Sequence, residues 1–566
     1  MSINTMSSDD FRALADVLFP DVKQTPSDIE AKYPPRDLPE GAWVSRFAPS
    51  PTGFIHIGTL FAGLLNKMLT ANGGVYILRV EDTDQNREVE RGTEQIVEAI
   101  ERVNLLPDEG FRTSDPLTQV GDYGSYLQSE RLDLYQIYAK DMVARGNAYP
   151  CFLTSEELDE IREQQVKQNI RAGVYGEWAR SRNLSLDDIK ARIAKGDEYV
   201  IRIKAPAASD DKVTVIDLIR ESLELPVNEL DSVMLKSDKF PTYNFAHIID
   251  DHLMRCNIVL RGDEYIPSLP LHIQILEALA LPVPMYAHFA PIAKMDGDSR
   301  RKLSKRKDDE AAILYYYEKG YPQDAILEYL LNLMNSSFEE WRTENPDSPY
   351  IEFPFDINKM GRASSLFDME KLTSVAKEII AKYKAEDVFQ NILDWAERYD
   401  TDAATLLKQD EAYSIAVFGI ERGGEKPRKD LAKWDEWQQY YGMLFDTIFE
   451  TNIPAGYADA PDLKQADMLA LLDFLIEITP ATITEDKNAW IQRMRDYAAD
   501  NGYAKRPKDY QKDPDAYKGV FGDIMMAYRV ALTGKTQTPD LYEMVMAMGA
   551  ERAIARFQKA RDHFAG

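Results

Sequence analysis

Residues 46 to 59 read Arg-Phe-Ala-Pro-Ser-Pro-Thr-Gly-Phe-Ile-His-Ile-Gly-Thr, placing an arginine, two prolines, two glycines and a histidine in one short stretch. A second group, Arg300-Arg-Lys-Leu-Ser-Lys-Arg-Lys307, is followed at once by Asp308-Asp-Glu310. Lys302 and Lys305 bracket Ser304, and such ammonium groups neutralise a triphosphate as charge builds on departing pyrophosphate. His56 and the amides around Gly58 would hold the other side of the same phosphates. Each signal alone has a plainer reading: a buried histidine packed on a turn, and a solvated charged face. Together they supply both sides of one reaction.

The elements that must position these residues are legible in the pattern. Trp43-Val-Ser-Arg-Phe-Ala48 alternates as a strand, and Leu60, Leu64 and Met68 beside Phe61, Leu65 and Leu69 recur as one face of a helix. Asn72-Gly-Gly74 stops that helix, and Val75-Tyr-Ile-Leu-Arg-Val80 gives the next strand of a βαβ unit. Free N–H groups and the dipole at the helix N-terminus attract phosphate. Arg79-Val-Glu-Asp-Thr-Asp84 then sets carboxylates at the carboxyl edge, where ligands of parallel sheets bind.

These motifs resemble those of the class I aminoacyl-tRNA synthetases, whose HIGH signature falls on His56-Ile57-Gly58-Thr59 and whose mobile KMSKS loop falls on Lys302-Leu303-Ser304-Lys305-Arg306. Lys239-Phe-Pro-Thr-Tyr-Asn-Phe-Ala-His-Ile-Ile-Asp-Asp-His-Leu-Met254 and Cys256-Asn-Ile-Val-Leu-Arg-Gly-Asp-Glu264 narrow the resemblance to the bacterial glutamyl branch. It runs from about residue 43 to the C-terminus. Thr59, Leu303 and Arg306 depart from the generic signatures; these changes fit the glutamyl branch, and Thr59 inherits no role from the histidine it replaces.

The resemblance implies a Rossmann-like α/β catalytic domain with an α+β acceptor-binding insertion and an all-α anticodon-binding half. It assigns Arg46 and Arg261 to substrate carboxylates, which planar guanidinium forks grip bidentately. It gives Glu81 to the α-ammonium, sets Ala48 and Ser50 in the same pocket, and has Tyr243 and Asn244 close its far wall. ATP would meet Thr52, His56, Gly58, Lys302 and Lys305, with Ser304 in the catalytic loop. The implied substrates are L-glutamate, ATP with Mg²⁺, and tRNA(Glu), with tRNA(Gln) left open. A monomer is the family expectation.

Composition sets outer limits. The chain has 566 residues, 44% hydrophobic and 29% charged, enough for roughly three to five domains. Acids in Met1-Ser-Ile-Asn-Thr-Met-Ser-Ser-Asp-Asp10 and the interruption of Met468 to Ile478 by Asp473 and Glu477 argue against secretion and membrane insertion. With only Cys151 and Cys256, no disulfide framework follows and a reducing cytoplasm is the simpler home. One cysteine near Tyr149-Pro-Cys-Phe-Leu-Thr154 cannot make the zinc site that some relatives carry there, so no zinc is expected and both cysteines should pack as small hydrophobes. A net charge of −28 opposes a global nucleic-acid footprint. Arg300 to Lys307, Arg422 to Lys429 and Lys505 to Lys508 offer local positive patches instead.

The expected organisation is an N-terminal extension at 1–42, a first nucleotide-binding half at 43–120, an acceptor-end insertion at 121–236 and a second half with the basic loop at 237–320. A helical stem-contact domain at 321–385 and a helical anticodon-binding domain at 386–566 complete it. Met360-Gly-Arg-Ala-Ser-Ser-Leu-Phe-Asp-Met-Glu-Lys371 and Ala527-Tyr-Arg-Val-Ala-Leu-Thr-Gly-Lys535 resemble segments of those last two regions. The competing readings are a nucleotidyltransferase acting on a small acid without RNA and a non-catalytic tRNA-binding paralogue. The long helical half opposes the first, and His56, Gly58, Lys302 and Lys305 oppose the second. If the basic loop acts on pyrophosphate, Lys305→Ala should slow adenylate formation about a hundredfold, the effect of losing one preorganised donor, with little change in glutamate binding. Unchanged single-turnover adenylation would remove the loop from the mechanism.

Overall fold

The computed structural model describes residues 6–52, 55–84, 89–207, 210–304 and 306–566, the side chains of 452–455 excepted. Lys305 therefore lies outside the described residues. The chain divides into two compact units, residues 1–313 with 327–368 and residues 314–326 with 369–566.

The first unit begins with α1 (Ser8–Leu18) and α2 (Pro26–Glu30), each opened by a capping box, from Ser7 and Thr25. Strand β1 (Val44–Phe47) leads to α3 (Ile57–Thr70), and β2 (Val75–Leu78) returns parallel to β1 with Val44 opposite Val75. The reversal depends on Gly74, where a Cβ would sit 2.2 Å from the Trp43 carbonyl oxygen. Helix α4 (Gly92–Arg102) crosses to β3 (Glu109–Ser114), parallel to β2, and β4 (Leu117–Val120) closes that edge antiparallel.

After α5 (Leu132–Ala144) the chain builds an antiparallel sheet from β5 (Ala148–Cys151), β6 (Val200–Ile203) and β9 (Val233–Leu235), with α6 (Ser155–Lys167) and α7 (Leu186–Lys195) between its first two strands. Sequence placed everything from 121 to 236 in this insertion. Strands β7 (Lys212–Asp217) and β8 (Glu221–Pro226) instead join the second nucleotide-binding sheet, of order β10-β11-β7-β8, with β10 (Ile258–Gly262) and β11 (Met285–Phe289) parallel. Asp217, opposite Tyr286, holds that edge. Helices α8 (Tyr243–Leu253) and α9 (Leu269–Leu279) flank β10, and a hairpin of β12 (Ala293–Asp296) and β13 (Ser299–Lys302) carries the basic run.

Asn257 brings β1 beside β10: its N–H donates to Val44 O at 3.2 Å and its Oδ1 accepts from Val44 N at 2.8 Å. Reading outward gives β3-β2-β1-β10-β11, so the order of strands along the chain reverses between β1 and β10. That is where doubly wound sheets bind ligands.

The second unit contains helices and no strand among its described residues. Its core packs Phe418, Trp437, Tyr441 and Phe445 edge to face, and buried Arg556 donates to the carbonyls of Met443, Leu444 and Leu532 at 2.7 to 3.0 Å. The expected stem-contact stretch, 321–385, is not a compact unit of its own. Residues 327–368 fold with the first unit and the rest with the second. Among the described residues no helix is long and apolar enough to cross a membrane.

The N-terminal segment, which sequence left without a place, is packed onto the first unit. Lys140 of α5 pairs with Asp16 at 2.7 Å. Arg36 forks onto Glu109 at 2.6 and 2.8 Å, donates to Met254 O at 3.0 Å and stacks 3.8 Å over Tyr123. Removing one member of a largely buried pair costs about 3 kcal/mol. Arg36→Ala should lower the urea midpoint of the first unit accordingly; a loss well under about 1 kcal/mol would make the segment peripheral.

Candidate active site

A cleft of about 1040 Å³ opens at the reversal between β1 and β10. Arg46, Ala48, Ser50, Thr52, His56, Gly58, Glu81, Tyr243, Arg261, Lys302 and Ser304 all line it. Asn244 does not; it turns to His272, accepting from Nε2 at 2.9 Å, and supports the wall from behind.

His56 caps α3, its Nδ1 accepting from Thr59 N at 3.0 Å. A neutral imidazole bonded this way carries its proton on Nε2 and can offer it to an anion. Gly58 permits the arrangement: a Cβ there would lie 3.0 Å from Nδ1. Thr59 thus contributes its amide to the turn. Just beyond the basic hairpin, Ala312 bridges to His56 and Ile313 N donates to Ile55 O at 3.3 Å, so backbone bonds fasten the segment after the basic run to the histidine motif.

Just after the basic hairpin, Asp308 organises the basic run. It grips Arg301 bidentately at 2.6 and 2.7 Å and accepts from Ser304 N at 3.0 Å. These bonds hold its carboxyl well below the usual range, Arg301 contributing most. Lys302 reaches Glu264 at 3.1 Å, an exposed pair that a phosphate can displace.

Beneath the cleft floor lies a network of buried charge. Asp251 accepts from Arg46 Nε at 2.9 and 3.0 Å and from Arg79 Nη1 at 2.7 Å, while Arg79 Nη2 donates to Glu81 at 2.9 Å. Burial pushes Asp251 up, but Arg46 and Arg79 outweigh it and hold the group ionised. Glu81 ends above the usual range because burial prevails there. The neighbouring Asp250 accepts from Arg131 at 2.7 Å and from Gln128 and Tyr135 at 2.8 Å. Two successive acids of α8 thus tie β1, β2 and the start of the insertion together.

Arg261 is held differently. Its Nε donates to His288 Nε2 at 3.1 Å, Nη1 to Tyr243 Oη at 3.3 Å, and Nη2 to His272 Nδ1 at 3.1 Å. No carboxylate lies within ion-pair distance of it among the described residues. Three of five N–H groups are used, leaving one on each terminal nitrogen for a ligand.

Sequence motifs contained Arg79, His247 and Asp251 without giving them roles, and they missed His272, His288 and Asp217. The available signal was His247 and Asp251 at i, i+4, one helix face. Both cysteines are buried, and burial pushes the Cys256 thiol up to about 12. Among the described residues no three His, Cys, Asp or Glu side chains converge as metal ligands. Several cations of the C-terminal basic patches are engaged internally: Arg422 with the carbonyls of Phe418 and Ile380, Arg428 with Glu421 and Asp430, and Arg506 with Asp509.

Comparison with known proteins agrees with this geometry. The family described as tRNA synthetases class I (E and Q), catalytic domain, matches residues 43–374, and an anticodon binding domain matches 515–561. A glutamate–tRNA ligase of Clostridium perfringens strain SM101 is 43% identical over 552 residues, covering 97% of this chain and 99% of the relative. One of Sorangium cellulosum is 42% identical, covering 94% and 97%. A crystal structure of a glutamate tRNA ligase from Elizabethkingia meningosepticum in complex with its amino acid superposes with a TM-score of 0.70 at 26% identity, covering 92% of this chain and 99% of that one. An alignment over 97% of the chain necessarily takes in part of the first 42 residues.

Burial holds His247, at about 4, and also His272 and His288 below the ordinary 6.5. The unfolded chain therefore takes up protons first. Their contribution to stability is complete above about pH 6.5 and is lost as pH falls toward 4, at up to ~1.4 kcal/mol per pH unit for each ring. Urea unfolding of the first unit between about pH 7 and about pH 5 should show that loss; a flat profile would mean the rings are charged in the fold.

Proposed function

The chain belongs to the class I tRNA synthetases of the glutamate and glutamine group, and on that premise we propose that it is a glutamate–tRNA ligase whose cleft selects glutamate through Arg261. The α-carboxylate of L-glutamate attacks the α-phosphorus of ATP, pyrophosphate leaves, and glutamyl-adenylate forms. A ribose hydroxyl of the terminal adenosine of tRNA(Glu), the 2′-OH by family expectation, then attacks the glutamyl carbonyl and AMP leaves. Catalysis rests on positioning and charge stabilisation, with no protein nucleophile.

Each residue has a part in this scheme. His56 offers its Nε2 proton, and the amides after Gly58 their dipoles, to the phosphates on one side. Lys302 and Lys305 take up the pyrophosphate charge on the other, with Ser304 in the same loop and Thr52 beside the nucleotide. Mg²⁺ enters with ATP as part of the substrate. Arg46, held by its Nε edge, keeps its terminal nitrogens for a substrate carboxylate, and Glu81 receives the α-ammonium against Ala48 and Ser50. Two buried free thiols favour a reducing cytoplasm, and the monomer is the family expectation.

The observation that carries this reading is the uncompensated charge of Arg261. Glutamate supplies its counter-ion; glutamine offers a neutral amide and leaves a desolvated cation, at a cost of about 3 kcal/mol. Amino-acid-dependent exchange of pyrophosphate into ATP, run with tRNA present, should favour glutamate over glutamine by about a hundredfold. Arg261→Ala should lose most of that preference while remaining folded. Full preference in that variant would overturn the pocket assignment.

A further inference from the structure

Arg261 poses a physical problem that its partners solve. A guanidinium that must grip one carboxylate of a flexible substrate needs a fixed plane, and proteins usually fix arginines with acids. An acid in contact would serve as the counter-ion and compete with the substrate. Here every side chain hydrogen-bonded to Arg261 among the described residues is uncharged.

Hydrogen-bond direction fixes the state of each ring. His288 Nδ1 lies 2.6 Å from Asp217 Oδ2 and donates there, which leaves Nε2 as an acceptor for Arg261 Nε. A protonated His288 would set two N–H groups against each other. His272 must accept from Arg261 on Nδ1, so its proton is on Nε2, facing Asn244 Oδ1 at 2.9 Å and His247 Nε2 at 3.3 Å. His247 in turn donates from Nδ1 toward Asp251 Oδ2 at 3.4 Å. Both chains leave Arg261, pass through neutral rings and end on a buried carboxylate. The second ends on the acid that holds Arg46, so two of the arginines lining the cleft, Arg46 and Arg261, share one support.

From this geometry we propose that His272 and His288 are positioning residues for glutamate selection, orienting Arg261 while leaving its charge to the substrate carboxylate. The inference rests on the assignment of Arg261 to that carboxylate. Burial, which disfavours the charged form of both rings, keeps them in the required state.

The test exploits the near-identity in shape of asparagine and aspartate at 272. Either places an oxygen where Nδ1 of the ring now lies, but only aspartate brings a charge. His272→Leu, which removes the acceptor, should raise the glutamate KM at least about tenfold and narrow the preference over glutamine. His272→Asn should recover most of that loss, whereas His272→Asp should keep a folded protein and a similar kcat yet bind glutamate at least about tenfold more weakly than His272→Asn. At His288, the Gln variant, whose Oε1 replaces Nε2, should likewise outperform the Leu variant. Exchange kinetics with tRNA for both amino acids, thermal melts of each variant, and Arg261→Ala run in parallel complete the experiment. Equal glutamate KM in the Asn and Asp variants at 272, with Arg261→Ala losing its preference, would overturn the proposal and leave the ligase reading standing. Full preference in Arg261→Ala would instead remove the premise.

Discussion

Asp251 sits between two buried guanidiniums, and the cleft depends on that contact. Arg46 comes from β1, Arg79 from the end of β2, and Asp251 from α8 in the second half of the nucleotide-binding fold. Desolvating such groups costs several kcal/mol each, and the network is tolerable because Arg46 and Arg79 are balanced by Asp251 and Glu81. Asp250 repeats the device one residue earlier, holding Arg131 at the start of the insertion. Charge balance thus aligns three segments remote in sequence, and the cleft opens where they converge.

Two of the arginines lining the cleft, Arg46 and Arg261, then differ in a way that suits the dicarboxylic substrate proposed for it. Arg46 is already paired, so it contributes donors and shape more than net charge. Arg261 is held by neutral acceptors and retains its full positive charge in a low-dielectric wall. The end proposed for phosphate is arranged differently again. There His56 and the helix α3 terminus offer dipoles fixed by the backbone, and exposed Lys302 offers a charge in a displaceable pair. On the proposed assignment, selection of the amino acid is preorganised, while Lys302 on the pyrophosphate side must exchange its exposed pair with Glu264 for the ligand.

Much of this was legible in sequence because it is local. The βαβ unit, its stop at Gly73-Gly74 and the positions of His56, Gly58, Lys302 and Ser304 in one cleft follow from periodicity and short motifs. Asp251 and Arg46 lie 205 residues apart, and no spacing rule links them. Strands β7 and β8 read as part of the insertion because they lie inside it in sequence; only the parallel edge of β11 shows where they pair. Asn244 sits within a quoted motif, yet helix geometry turns it behind the wall toward His272. The packing of the N-terminal segment was not legible because its anchors, Glu109, Tyr123 and Lys140, lie far from it in sequence.

The most direct test of the account is a crystal structure of the full chain with an uncleavable analogue of glutamyl-adenylate. The side-chain carboxylate should lie on the two remaining N–H groups of Arg261, with His272 and His288 still bonded to it, Asp251 still between Arg46 and Arg79, and the phosphate beside His56. A carboxylate bound away from Arg261, or an Arg261 turned from both histidines to meet it, would contradict the account.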